Sequence, residues 1–195
     1  MCSNHAGCSM KVLLLGGSLH RPSHTSAMLR IMESEVSRRG HESTLWDLGE
    51  RPVPAPDPQY HRDPLLNPDP EVHRLVLAAD AAQAFVLASP NYHNSFSGLL
   101  KDALDNLSVA QFSGKAVGLA SNGGGIPSTQ AVDQLRIVVR GLGGIAIPTQ
   151  FVTSDTDWDI GPEGYELKSE LLNLRLERFL DELLAIAFRL GDGEQ

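Results

Sequence analysis

Short apolar runs alternate with amphipathic helical stretches five times along this chain of 195 residues, and that alternation leaves few architectures open. The runs fall at 11–16 (KVLLLG), 43–47 (STLWD), 84–90 (AFVLASP), 115–120 (KAVGLA) and 145–152. A run that is apolar at nearly every position suits a strand buried on both faces, as in a parallel sheet. Between the runs, helical spacing predicts helices from Ser26 to Gly40 and over 71–79, 97–107 and 127–140. Strands and helices alternating in this way give an α/β fold, a doubly wound parallel sheet with helices on both faces. Residues 51–70 hold seven of the twelve prolines and read as an extended surface loop, since neither a helix nor a central strand tolerates that density. Residues 153–164 read as polar and irregular, and 165–190 as one long, unusually apolar helix. Its leucines and phenylalanines, among them Leu167, Leu171, Leu174, Phe179 and Phe188, wrap more than one face, which predicts a homodimer or homotetramer. The first nine residues read as a mobile tail and 10–195 as a single domain.

The net charge is −8 with only four lysines, so the chain lacks the basic surface that nucleic acid or anionic membrane requires. No apolar run approaches the roughly 20 residues of a membrane span. Both cysteines, Cys2 and Cys8, lie in the first ten residues, which excludes a core stapled by disulfides and favours a cytoplasmic protein. The polar start MCSNHAGCS has no apolar segment of the kind a signal peptide carries, and Cys2, His5 and Cys8 match no zinc spacing.

In an open α/β sheet, ligands bind beyond the carboxyl ends of the strands. Three loops with unusual chemistry sit there. The first, GGSLHRPSHTS, offers hydroxyls from Ser18, Ser23, Thr25 and Ser26, free N–H groups and the positive dipole end at a helix start, and charge from His20 and Arg21. It has too few glycines for a pyrophosphate and no lysine for a triphosphate, so it suits one terminal phosphate. Helix capping alone would also explain its serines. The second, SPNYHNSFSG, offers Pro90, Asn91, Tyr92, His93 and Asn94 as an edge for a planar heterocycle; Ser97 also suits an N-cap, and Tyr92 and Phe96 also suit core or turn positions. The third, SNGGG, offers Asn122, Gly123, Gly124 and Gly125, whose backbone can approach a ligand closely or serve as a plain turn. A phosphate pocket and two loops for a flat ring together describe a mononucleotide such as FMN. Lys101 and Asp105, one helical turn apart, read as a surface pair, and His24, His41, His61 and His73 as surface residues.

These motifs resemble those of the NADPH-dependent FMN reductases, which include flavin reductases, azoreductases, and quinone and chromate reductases. The first loop is similar to the family's G-S-x-R-x-x-S-x-N/S, and SPNYHNSFSGLLKDALD to its T/S-P-x-Y-x-x-S-x-x-G-x-L-K-N-A-L-D; GGGIPSTQAVDQLRIVVRGLGGIAIPTQ resembles azoreductase-type members. The resemblance covers residues 11–152. It implies a flavodoxin-like, five-stranded sheet in the order 2-1-3-4-5, bound FMN, NADPH or NADH as hydride donor, and a quinone, azo compound or similar small-molecule acceptor. It also implies that Ser18, Ser23 and Thr25 hold the phosphate and that Pro90–His93 line the ring. The departures are His20, standing where the family has arginine, with Arg21 beside it, and the proline-rich loop. A histidine there would make phosphate affinity fall as pH rises through its pKa. Two alternatives share the motifs: a flavin reductase that supplies reduced FMN to a monooxygenase, and a flavodoxin-like electron carrier.

Overall fold

The computed structural model describes residues 9–162 and 164–191. Five strands, β1 (Lys11–Gly16), β2 (Glu42–Asp47), β3 (Ala84–Pro90), β4 (Ala116–Asn122) and β5 (Ile145–Thr153), form a parallel sheet in the order β2-β1-β3-β4-β5. The apolar runs conceal a period of two. Val12 and Leu14 of β1 and Ala84, Val86 and Ala88 of β3 face one core, with Leu13, Leu15, Phe85 and Leu87 facing the other. The first core is covered by α1 (His24–Arg38) and α6 (Glu170–Gly191). The second is covered by α2 (Pro70–Ala81), α3 (Gly98–Asp105), the short α4 (Val109–Phe112) and α5 (Gln130–Gly141). Burial on both faces is why the strands need hydrophobic side chains at consecutive positions.

The helix starts reflect local chemistry. Ser23 caps α1, its hydroxyl accepting from Ser26 N, and Asp69 caps α2 with Pro70 in the first turn. Ser97 caps α3 by accepting from Leu100 N. On α3 the Lys101 Nζ sits 2.7 Å from Asp105 Oδ1, as the one-turn spacing predicts. The proline-rich loop carries two short 3₁₀ turns and is held down at Val53 and Pro64, which are buried, and by Asn106 Nδ2 donating to Pro54 O at 2.8 Å.

Two expectations need correction. Residues 153–164 are not irregular throughout, and the last helix does not begin at 165. β6 (Trp158–Gly161) and β7 (Gly164–Leu167) pair antiparallel, Trp158 opposite Leu167 and Ile160 opposite Tyr165, and α6 begins only at Glu170. Leu167 therefore belongs to a strand. Four-residue strands are too short for a clear period, and Tyr165 and Leu167 fit the helical spacing that α6 sets up after them. Smaller differences lie at β4, which runs on through Ser121 and Asn122, and at α5, which starts at Gln130 and includes Gly141. On α6, Leu176, Phe179, Leu180, Leu183, Leu184 and Ala187 are buried against the sheet, leaving Leu171 76% and Leu174 57% exposed. Residues 1–8, with Cys2, His5 and Cys8, lie outside the described residues. No described helix is long and apolar enough to cross a membrane, and no metal-ligand cluster occurs among the described residues.

Candidate functional site

The three loops converge at the carboxyl edge of β1, β3 and β4 around a pocket of about 280 Å³. Loop one is tied to the end of β3 through its backbone and to loop two through a side-chain hydroxyl. Gly17 N donates to Ala88 O at 3.0 Å, and the Ser97 hydroxyl donates to Gly17 O at 2.6 Å while capping α3. Loop two is tied to the end of β4 by Asn91 N donating to Asn122 O at 2.9 Å. Loop three is tied to the turn after β5 by Gly123 N donating to Thr153 O and Asp155 N to Gly124 O.

Of the residues expected in this site, Ser18, His20, Ser23, Thr25, Pro90, Asn91, Tyr92, Asn122 and Gly124 line the pocket. His93 (φ 51°) and Asn94 (φ 63°) occupy the tip of a tight turn closed by Tyr92 N to Ser95 O and Ser95 N to Tyr92 O, just beyond the pocket wall. Gly123 lies behind the wall, where a side chain would strike the Ile126 carbonyl, and Gly125 lies beyond Gly124.

Arg21 and Ser26 turn toward Asp47 at the end of β2 rather than to the pocket. Arg21 Nη2 lies 3.0 Å from Asp47 Oδ1, and its Nη1 donates to the Ser18 and His20 carbonyls. The Ser26 hydroxyl donates to Asp47 Oδ2 at 2.5 Å, and Gly49 N donates to Oδ1 at 2.9 Å. This buried carboxylate holds the first loop in shape from outside. Asp47→Ala is expected to lower the unfolding free energy by about 2 kcal/mol, because charged hydrogen bonds are lost while the part-exposed guanidinium regains water. Urea denaturation of Asp47→Ala beside Asp47→Asn checks it; an unchanged midpoint in both would show that the carboxylate holds nothing.

His24 is a further correction: it is not a surface residue. Its ring stacks on Tyr165 of β7 with centroids 3.8 Å apart and planes inclined by 29°, its Nδ1 is 3.2 Å from Asp155 Oδ1, and it lines the pocket with both partners. Burial holds its pKa below the usual value, opposed by the Asp155 carboxylate and reinforced by nearby His20. A polar chain continues inward. Asn122 Nδ2 donates to Asp155 Oδ1 at 2.7 Å, Thr153 Oγ1 donates to Asn122 Oδ1 at 2.8 Å, and Trp158 Nε1 donates to Thr153 Oγ1 at 3.1 Å. Sequence patterns missed His24, Asp155 and Tyr165 because they come together only through the sheet order and the β6–β7 hairpin.

The polar inventory is that of a site for an anion joined to a ring. Hydroxyls of Ser18, Ser23 and Thr25 stand at the N-terminal end of α1, whose first amides and dipole favour a negative group. At the other side, Asn91 Oδ1 is buried with no hydrogen-bond partner among the described residues, while its Nδ2 donates to Ser128 Oγ at 2.7 Å. An orphaned buried acceptor is costly unless a ligand donor satisfies it.

The profile of the NADPH-dependent FMN reductase family matches residues 10–159. The chain is 38% identical over 177 residues to the FMN-dependent NADPH-azoreductase of Staphylococcus saprophyticus, covering 90% of this chain and 94% of that protein. It is 37% identical to the enzyme of the same name from Staphylococcus aureus, with the same coverage. Among solved structures it is similar to an NADH:FMN oxidoreductase in its apo form (TM-score 0.71, 21% identity, 93% of this chain and 90% of that one). It is also similar to the flavoenzyme NAD(P)H:acceptor oxidoreductase of Paracoccus denitrificans (TM-score 0.72, 18% identity, 94% and 98%). At these identities the two structures bear on the fold alone.

Proposed function

Because this chain belongs to the NADPH-dependent FMN reductase family and so moves electrons from NAD(P)H through FMN, we propose that its acceptor is an azo compound, a quinone or a similar small molecule. The single observation that carries the reading is the pairing, among the residues that line one pocket, of a hydroxyl-lined helix start with Asn91, whose buried Oδ1 has no hydrogen-bond partner among the described residues. The residues fit FMN. Ser18, Ser23, Thr25 and the first amides of α1 would hold the phosphate, and Asn91 Oδ1 would accept from a ring N–H. When bound, the flavin supplies the hydride chemistry, taking two electrons from NAD(P)H and yielding them to the acceptor. The chain's own work is binding and orientation. Pro90, Asn91 and Tyr92 wall one side of the ring site, and Gly124 lets the backbone come close on the other. Half-exposed Tyr92 leaves a flat surface for the second substrate.

The experiment is a visible titration of the protein with FMN, then NADPH without oxygen and finally an azo dye or a quinone. Saturable binding, bleaching of the flavin band and its return on adding acceptor are expected. Binding without bleaching would point to a carrier, and no binding would sink the site. The exposed Leu171 and Leu174 of α6 support a homodimer or homotetramer, tested by sedimentation. The sparse cysteines, both within the first ten residues, support a cytoplasmic enzyme.

A further inference from the structure

We infer that His24 is a cofactor-binding residue, and that this pocket takes up its phosphate monoester together with a proton held by the His24 imidazole. The inference rests on FMN being the ligand of this site. Its first ground is the charge census of the wall: the lining residues include no arginine or lysine, two histidines, His20 and His24, and one carboxylate, Asp155. The guanidinium nearest in sequence, Arg21, is engaged by Asp47 and by two loop carbonyls. A phosphate dianion entering here would meet hydroxyls and amides but no permanent cation on the wall.

The second ground is geometry. His24 is the first residue of α1, next to the Ser23 cap and Thr25, so its ring stands at the helix end that favours an anion. Tyr165 fixes the plane of the ring by stacking, and Asp155 fixes its rotation by facing Nδ1. A neutral imidazole has one N–H, which can serve either Asp155 or the pocket. Only the imidazolium donates to both at once. Among the groups packed around it, Asp155 from the turn after β5 favours the charged form and His20 from the first loop opposes it. Asn122 at the end of β4, Tyr165 on β7 and Trp158 on β6 add no charge there, and Glu166 reaches across its hairpin to Gly161.

In the free protein burial holds the His24 pKa below the usual histidine value. A bound dianion raises its pKa, so the added attraction is complete below the free-protein pKa and is lost as pH rises through the bound-state pKa. The phosphate itself loses its second proton near pH 6, so the window that reports the protein is above about pH 7.

Calorimetry of FMN binding above that pH, in buffers of different ionisation enthalpy, reads the proton directly. Uptake of a measurable fraction of a proton is expected with FMN and none with riboflavin, which lacks the phosphate. The FMN Kd should rise with pH, approaching tenfold per unit for one full proton. His24→Phe keeps a ring against Tyr165 and removes the titration; it should weaken FMN binding and lose most of the uptake, whereas His20→Gln should retain it. Imidazole NMR of the unaltered protein, titrated with and without FMN, should show the His24 pKa higher in the complex. Wild-type uptake in His24→Phe, or an unmoved His24 pKa, would overturn the inference while leaving the FMN site standing. Absence of FMN binding would instead remove the reading on which it rests.

Discussion

Phe179→Ala should lower the unfolding free energy of the FMN-free protein by about 3–5 kcal/mol, the range for deleting a fully buried phenyl ring. Phe179 is wholly buried on the inner face of α6 and meets Phe151 of β5 with centroids 6.3 Å apart. Its ring lies on the flat place that Gly118 leaves in β4, where a Cβ would come within 2.5 Å of the ring tip. The ring therefore joins α6 to both β4 and β5, and the backbone beneath cannot rise to fill the space it vacates. The loss should appear as a fall of roughly 10 °C in melting temperature for a domain of this size, and as a lower urea midpoint. FMN must be absent, since a ligand that binds only the folded state would mask part of the change. A loss under about 1 kcal/mol would mean that α6 is not packed on the sheet as described.

Gly17→Ala should raise the Kd for FMN ten- to a hundredfold, on the order of 1–3 kcal/mol of overpacking converted at about 1.4 kcal/mol per decade. A Cβ at residue 17 would lie 2.6 Å from both the Leu100 Cβ and the Ser97 hydroxyl oxygen, and 3.1 Å from Leu100 N. Glycine is needed here for close approach, because the first loop meets the start of α3 backbone to side chain. The free protein can relieve the collision by letting loops one and two part. A ligand whose phosphate sits in one loop and whose ring sits against the other must draw them together again, so the strain appears as lost affinity. Fluorescence titration with FMN checks the affinity, and far-ultraviolet circular dichroism checks that the sheet persists. An unchanged Kd in a folded variant would show that FMN does not span the two loops.

Both predictions concern contacts that no stretch of sequence displays. The five strands of the main sheet were legible because burial on both faces demands consecutive apolar residues, and the longer helices because one face is periodic; the short β6, β7 and α4 were not, since four residues show no period. Helix starts were legible where a side chain caps its own backbone, as Ser23 and Ser97 do. The hydroxyls of the first loop were legible for the same local reason, and Ser18, Ser23 and Thr25 line the pocket; of the three glycines after β4 only Gly124 does. The strand order 2-1-3-4-5 came from the family resemblance, because periodicity says which segments are strands and nothing about which neighbours they choose.

What the sequence determined by itself was therefore the alternation of elements, their caps and the chemistry carried by each loop, all set within a few residues of chain. Tertiary structure alone decided where that chemistry points. It turned Arg21 and Ser26 onto Asp47, brought the Ser97 hydroxyl to the Gly17 carbonyl, and folded Trp158–Leu167 into a hairpin that sets Tyr165 against His24. The physical reason is common to all three. Each joins segments remote in sequence, and the partner exists only after the sheet order has placed the strand ends side by side.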